Sequence, residues 1–131
     1  MYPEDEENTR GLASDRARRL ALTKLVLRLF DLWQLGVPDQ LALLGCSLGT
    51  LKKYKAGQPI GNRKDRIDRI GYLLAIHGLL RTLYPARDNR DIVHSWVTWN
   101  NQCFGCPPVY MMGTLEVLQK VVRYLQGNTI L

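Results

Sequence analysis

Apolar residues recur at three- and four-residue steps along most of this chain, the period of helices that bury one face. Leu20, Leu22, Leu25, Val26, Leu29, Phe30, Leu32 and Trp33 trace one stripe, with Arg16, Arg18, Arg19, Lys24 and Arg28 between them. This predicts an amphipathic helix from Ser14 to about Leu35, stopped by Gly36. Pro38 opens a short helix through Leu44, because the N–H that proline lacks has no helical partner in a first turn. Gly45-Cys46 makes a tight turn into a third helix that starts at Ser47. A fourth stripe, Ile67, Ile70, Leu73, Leu74, Ile76, His77, Leu80 and Leu83, runs until Tyr84-Pro85 breaks it. Asp65, Arg66, Asp68 and Arg69 lie on its opposite face, where local ion pairs are worth a few tenths of a kcal/mol. Ile92, Val93, Trp96, Val97 and Trp99 predict one more helix, with the two tryptophans turned to the core. A loop over Asn100–Pro108, one helical turn at Val109–Met112 and a last amphipathic helix through Leu115, Leu118, Val121, Val122 and Leu125, ending before Gly127, complete the pattern. Nothing reads as a strand, so the expected fold is all-α.

Three segments follow from this pattern. Glu4, Asp5, Glu6 and Glu7 sit in a polar stretch with Pro3 and Gly11, which predicts a flexible acidic leader over residues 1–13. Residues 14–61 form a first helical unit and residues 62–131 a second, with Gln58-Pro59-Ile60-Gly61-Asn62 as the connector. At 131 residues the chain suits one compact unit or two small subdomains sharing a core.

The most informative stretch is Ser47 to Gly57. Ser47 can cap a helix by accepting from a free N–H of the first turn, and Gly57 can take the left-handed conformation that ends one. Leu51 and Tyr54 share one face, while Lys52, Lys53 and Lys55 lie off it, where they can meet duplex phosphates. A short helix, a glycine-containing turn and a second helix of this length form a helix-turn-helix layout. Its DNA-binding residues are then Ser47, Gly49, Thr50, Lys52, Lys53 and Lys55. Leu48 and Gly49 stand where base edges are usually read and make no bidentate contacts, so phosphate binding is better supported than sequence reading. A plain helical hairpin with solvated lysines is the competing reading.

Charge sharpens the picture. The formal net charge is +6, and residues 16–90 hold fifteen of the eighteen Lys and Arg, so the basic surface belongs to the first two thirds of the folded part. Nucleic acid is the natural partner for such a surface. No apolar run approaches a membrane span, and the first residues lack a basic-then-hydrophobic signal layout, so a cytoplasmic protein with reduced cysteines is expected. Cys103 and Cys106 have a two-residue spacing, but only Cys46, His77 and His94 remain to complete a metal site, and none is paired. His77 falls on an apolar stripe, as a hydrogen-bonded core histidine does, and no nucleophile, acid–base or phosphate-loop spacing is present. The expectation is a binding protein, not an enzyme, without metal or other cofactor.

One block adds more. Arg66-Ile67-Asp68-Arg69-Ile70, then Leu74, Ile76-His77, Leu80-Arg81 and Leu83-Tyr84-Pro85, are followed by Trp96, Asn101, Phe104-Gly105, Pro108, Gly113, Leu118 and Val121-Val122-Arg123-Tyr124-Leu125. In order and spacing these positions resemble the toxin-binding domain of Xre/MbcA/ParS-type antitoxins, and the first half resembles the Xre-like helix-turn-helix domain that precedes it. The resemblance covers residues 16–126. Phe104-Gly105-Cys106-Pro107-Pro108 is about one residue shorter than the family loop and has Pro107 in place of its serine, so either Asn100 or Asn101 matches the family asparagine.

The resemblance implies a prokaryotic type II antitoxin, a homodimer within its complex, that covers the active site of an NAD-consuming RES-domain toxin and binds its own promoter as an autorepressor. The implied toxin-binding residues are Asn101, Phe104, Arg123, Tyr124, Ile130 and Leu131. Arg and aromatic side chains are common interface anchors, and an apolar tail ending in the Leu131 carboxylate suits a cleft lined with cations. A frayed tail is the other reading of those last residues. A stand-alone helix-turn-helix regulator, dimerising through its C-terminal helices, is the alternative function.

Overall fold

The computed structural model describes the backbone of residues 3–84, 90–101 and 104–129, with side chains described over 15–84, 93–101 and 104–127. Among these residues the fold is all-α. Seven helices follow in order: α1 (Pro3–Leu32), α2 (Val37–Leu44), α3 (Leu48–Lys55), α4 (Lys64–Leu83), α5 (Arg90–Thr98), α6 (Pro108–Met111) and α7 (Leu115–Thr129). The only strand-like pairing described is an isolated antiparallel bridge between Asn101 and Cys106. No helix among the described residues is long and apolar enough to cross a membrane.

Helix α4 is the axis of the fold. Ile70, Leu73, Ile76 and Leu80 are buried along it, and it packs against α1, α2, α5 and α7. The buried side chains on both sides of residues 61–62 belong to one continuous core, which holds Phe30, Trp33, Leu44, Leu51 and Ile60 together with Ile76, Leu80, Val97, Leu118 and Val121. The connector after α3 is therefore anchored to the core. Ile60 is fully buried, its N–H donates to the Thr23 hydroxyl at 2.9 Å, and its carbonyl accepts from Arg19 at 2.8 Å.

Three helix boundaries differ from the sequence pattern. Helix α1 begins at Pro3, so the stretch expected as a flexible leader is helical from that residue on. It ends at Leu32, before the expected stop at Gly36. There Gln34 adopts the left-handed conformation at φ 56°. Its N–H donates to the Asp31 carbonyl at 3.0 Å, and the Leu35 N–H donates to Phe30 at 3.1 Å. This is the paired-bond stop usually built on glycine. Burying Leu35 requires the turn here, and a non-glycine residue accepts a left-handed cost of about 1–2 kcal/mol to make it. Helix α7 continues through Gly127 to Thr129.

The two histidines close on Trp33 from different helices. The indole N–H donates to His77 Nδ1 at 2.9 Å, and His94 Nδ1 lies 2.6 Å from the Trp33 carbonyl, to which it donates. His77 is thus a core histidine used as an acceptor, which requires its neutral form. Burial first, and the Arg81 charge second, hold its pKa below the ordinary value of about 6.5. The unfolded chain therefore takes up this proton at a higher pH than the folded one. His77 contributes stability that is complete above about pH 6.5 and is lost as pH falls from there through the lowered folded value. Urea unfolding midpoints are expected to fall on acidification through that window. His77→Gln, which keeps an acceptor but does not titrate, should flatten the fall; an equal fall in this variant would remove His77 as its cause.

Candidate functional site

Ser47 caps α3 as its side chain suggests. Its Oγ accepts from the Thr50 N–H at 3.3 Å and lies 3.0 Å from the Thr50 hydroxyl. Leu51 and Tyr54 face the core at 1% and 6% exposure, which turns Lys52, Lys53 and Lys55 to solvent. At the far end Gly57 takes φ 104°. Gly49 is exposed, and a Cβ there would meet only Ser47 Oγ at 4.0 Å, so this surface is open above the first turn.

What holds α2 and α3 in place was not apparent in the helical pattern. Arg69 pairs with Asp65 at 3.0 Å, as its spacing suggests, but its Nη1 reaches across to the carbonyls of Leu43 at 3.3 Å, Ala42 at 3.4 Å and Gly113 at 2.7 Å. These are carbonyls at the C-terminus of α2, which lack helical partners and carry its partial negative charge, plus one from the connector between α6 and α7. Gly45 makes the approach possible. It is left-handed at φ 63°, and a Cβ on it would stand 2.9 Å from the guanidinium carbon of Arg69. Arg66 completes the mount, donating to the Tyr54 hydroxyl at 3.1 Å. Arg66 of α4 therefore holds α3 directly, Arg69 holds the end of α2 that leads into it, and both lie in the block that carries the family resemblance.

The second group of expected residues gathers at the other end. Phe104 packs on Tyr124 with ring centres 5.0 Å apart and on Trp96 at 6.2 Å, both edge-on. The Asn101 carbonyl accepts from the N–H groups of Gly105 at 2.8 Å and Phe104 at 3.2 Å, which closes the loop beneath Phe104. Gly105 is left-handed at φ 76° to permit it. Arg123 is exposed beside half-buried Tyr124 on α7. The structure thus brings together Asn101, Phe104 and Tyr124, with Arg123 on the neighbouring surface, whereas Ile130 and Leu131 lie outside the described residues.

Of the two tryptophans expected in the core, Trp96 packs half-buried against it, whereas Trp99 stands on this surface instead. Val93 and Val97, four apart, take the inward face of α5, which leaves Trp96 half-buried on the flank and Trp99 68% exposed. They line a cleft of about 280 Å³ with Tyr84, Ser95, Asn100 and Asn101, and a neighbouring hollow of about 210 Å³ lies between Tyr84, Trp96 and Tyr124. Val93 and Val97, four apart on a nine-residue helix that ends at Thr98, just before Trp99, are the signal that could have marked this exposed flank.

Cys46 is half-buried, and burial pushes its thiol pKa up against the smaller lowering by the Arg66 charge, so it holds its proton. Among the described residues no three His, Cys, Asp or Glu side chains gather as a metal site would need, and Cys103 lies outside them. Compared with known proteins, the chain matches no family model and no curated protein.

Proposed function

We propose that this chain is the antitoxin of a type II toxin–antitoxin pair, with a helix-turn-helix surface for promoter DNA and an aromatic surface for a RES-domain toxin that consumes NAD. The observation that carries the reading is the pairing of two surface chemistries on one continuous core. Lysines 52, 53 and 55 project from a capped helix that Arg66 holds through Tyr54, and an aromatic and amide cleft flanks Phe104 and Tyr124. A cationic helix face fits phosphates, and a hollow of tyrosine and tryptophan with an exposed arginine nearby has the composition of protein interface anchors. Inhibition in this reading is by occlusion, with no chemistry required of the antitoxin and no cofactor.

A regulator without a toxin draws support from a different feature. Leu22, Ile67, Gly71, Tyr72, Ala75 and Val122 line a groove of about 440 Å³ between α1, α4 and α7, a surface suited to dimerisation. Inducing the adjacent reading frame, with and without this chain, separates the two. For an antitoxin, cellular NAD falls and growth stops only when the chain is absent. A harmless neighbour, or toxicity that the chain does not relieve, would leave the regulator.

The DNA surface has its own test. Lys52→Ala combined with Lys53→Ala is expected to weaken binding to any duplex and to lower the slope of log affinity against log salt by about 0.9 for each phosphate these lysines neutralise. Both side chains are exposed, so folding should be unaffected. An unchanged slope, measured by fluorescence anisotropy over a salt series, would take α3 out of the DNA interface.

A further inference from the structure

The apolar residues of α3 divide sharply. Leu51 and Tyr54 are buried at 1% and 6% exposure, whereas Leu48, the first residue of the helix, is 46% exposed. It follows the capping Ser47 and precedes Gly49, whose missing side chain leaves the surface beside it open. Val37, first residue of α2, is the other exposed large apolar group on this pair of helices, at 39%. Around Leu48 the surface of α3 is cationic, with Lys52 one turn along and Lys53 and Lys55 beyond it. An exposed leucine on a face of this charge is unsuited to an apolar protein partner but suited to a duplex groove, where phosphates meet the lysines and base edges offer an apolar group. In the major groove that group is the C5-methyl of thymine, the feature that distinguishes T from the other bases by shape instead of hydrogen bonding.

We propose that Leu48 reads thymine methyl groups in the major groove, so that this protein selects its DNA by apolar contact at the position where related architectures more often place a hydrogen-bonding side chain. The inference rests on the DNA-binding reading of α3. It accounts for a recognition surface whose leading residues, Leu48 and Gly49, cannot form a bidentate pair with any base. Gly49 lets the helix backbone come close enough for a side chain of leucine length to reach the groove floor. Lys52, Lys53 and Lys55 hold the register through phosphates and carry no sequence information.

The test uses the full chain and a duplex enriched by it from a randomised pool. Each thymine of the enriched duplex is replaced in turn by uracil, which removes only the methyl group. One or two such replacements are expected to weaken binding about fourfold each, the worth of one buried methyl. Leu48→Ala, a change at an exposed position, should bind the thymine and uracil duplexes equally. Uracil tolerated at every position, or discrimination retained in full by Leu48→Ala, would overturn the inference while leaving DNA binding intact. If no duplex is enriched over the starting pool while the chain still binds duplex with a salt-dependent affinity, this inference falls and the DNA reading stands; if the chain binds no duplex at all, both fall.

Discussion

Arg69→Leu is expected to destabilise the fold by about 3 kcal/mol, because the carbonyls its guanidinium now serves would be left without their charged donor. The side chain is only 13% exposed, and its shortest bond, 2.7 Å to the Gly113 carbonyl, joins α4 to the connector before α7. The two bonds to Leu43 and Ala42, at 3.3 and 3.4 Å, are longer and count for less, but they end α2 at the point where its dipole is negative. Asp65 provides the contrast. Its carboxylate is 47% exposed, so Asp65→Ala should cost less than about 0.5 kcal/mol although it removes the ion pair. Arg69→Lys should fall between, since one ammonium cannot serve both Asp65, which meets Nε, and the carbonyls gathered at Nη1. Urea unfolding followed by circular dichroism separates the three variants. A loss in Arg69→Leu no larger than that in Asp65→Ala would mean that these carbonyls are not held by Arg69 in solution.

That contrast also marks what the sequence could carry. Helix periodicity located α4 and α7 because Ile70, Leu73, Ile76 and Leu80, and likewise Leu118, Val121 and Leu125, repeat at the spacing that buries one face. Caps located α3, since Ser47 and Gly57 act within a few residues of themselves. Interactions distant in sequence left no such trace. Arg69 has an acid four residues before it and so reads as a local pair, yet its shortest bond is to a residue 44 positions away. Gln34 looks ordinary until Leu35 has to be buried, and Ile60 sits in a turn-rich stretch whose anchor, Thr23, is 37 residues earlier. The candidate surfaces divide in the same way. The lysines of α3 follow from helix geometry alone, and Phe104 and Tyr124 were reached through the family resemblance. The exposure of Trp99 depended on Val93 and Val97 taking the inward face, which a period with four apolar positions on one short helix leaves undecided.

Trp33 is where the sharpest loss is expected. The residue is fully buried at the end of α1, and its two polar groups engage His77 on α4 and His94 on α5. Trp33→Ala removes the ring and leaves a cavity at the junction of three helices, for a loss of about 4 kcal/mol, enough to unfold a marginal domain. Trp33→Phe keeps most of the volume and the backbone carbonyl that His94 meets, but takes away the indole N–H. It should cost about 2 kcal/mol at neutral pH, the sum of a small void and an unserved acceptor on His77. The pH dependence then identifies the cause. In the native chain the indole bond requires neutral His77, so its contribution fades as pH falls below about 6.5. In Trp33→Phe that bond is already absent, so acidification has less to remove and the gap in unfolding free energy between variant and native chain should narrow. A gap that stays constant from about pH 7.5 to about pH 5 would assign the whole cost to packing, and the hydrogen bond between α1 and α4 would then contribute nothing to the fold.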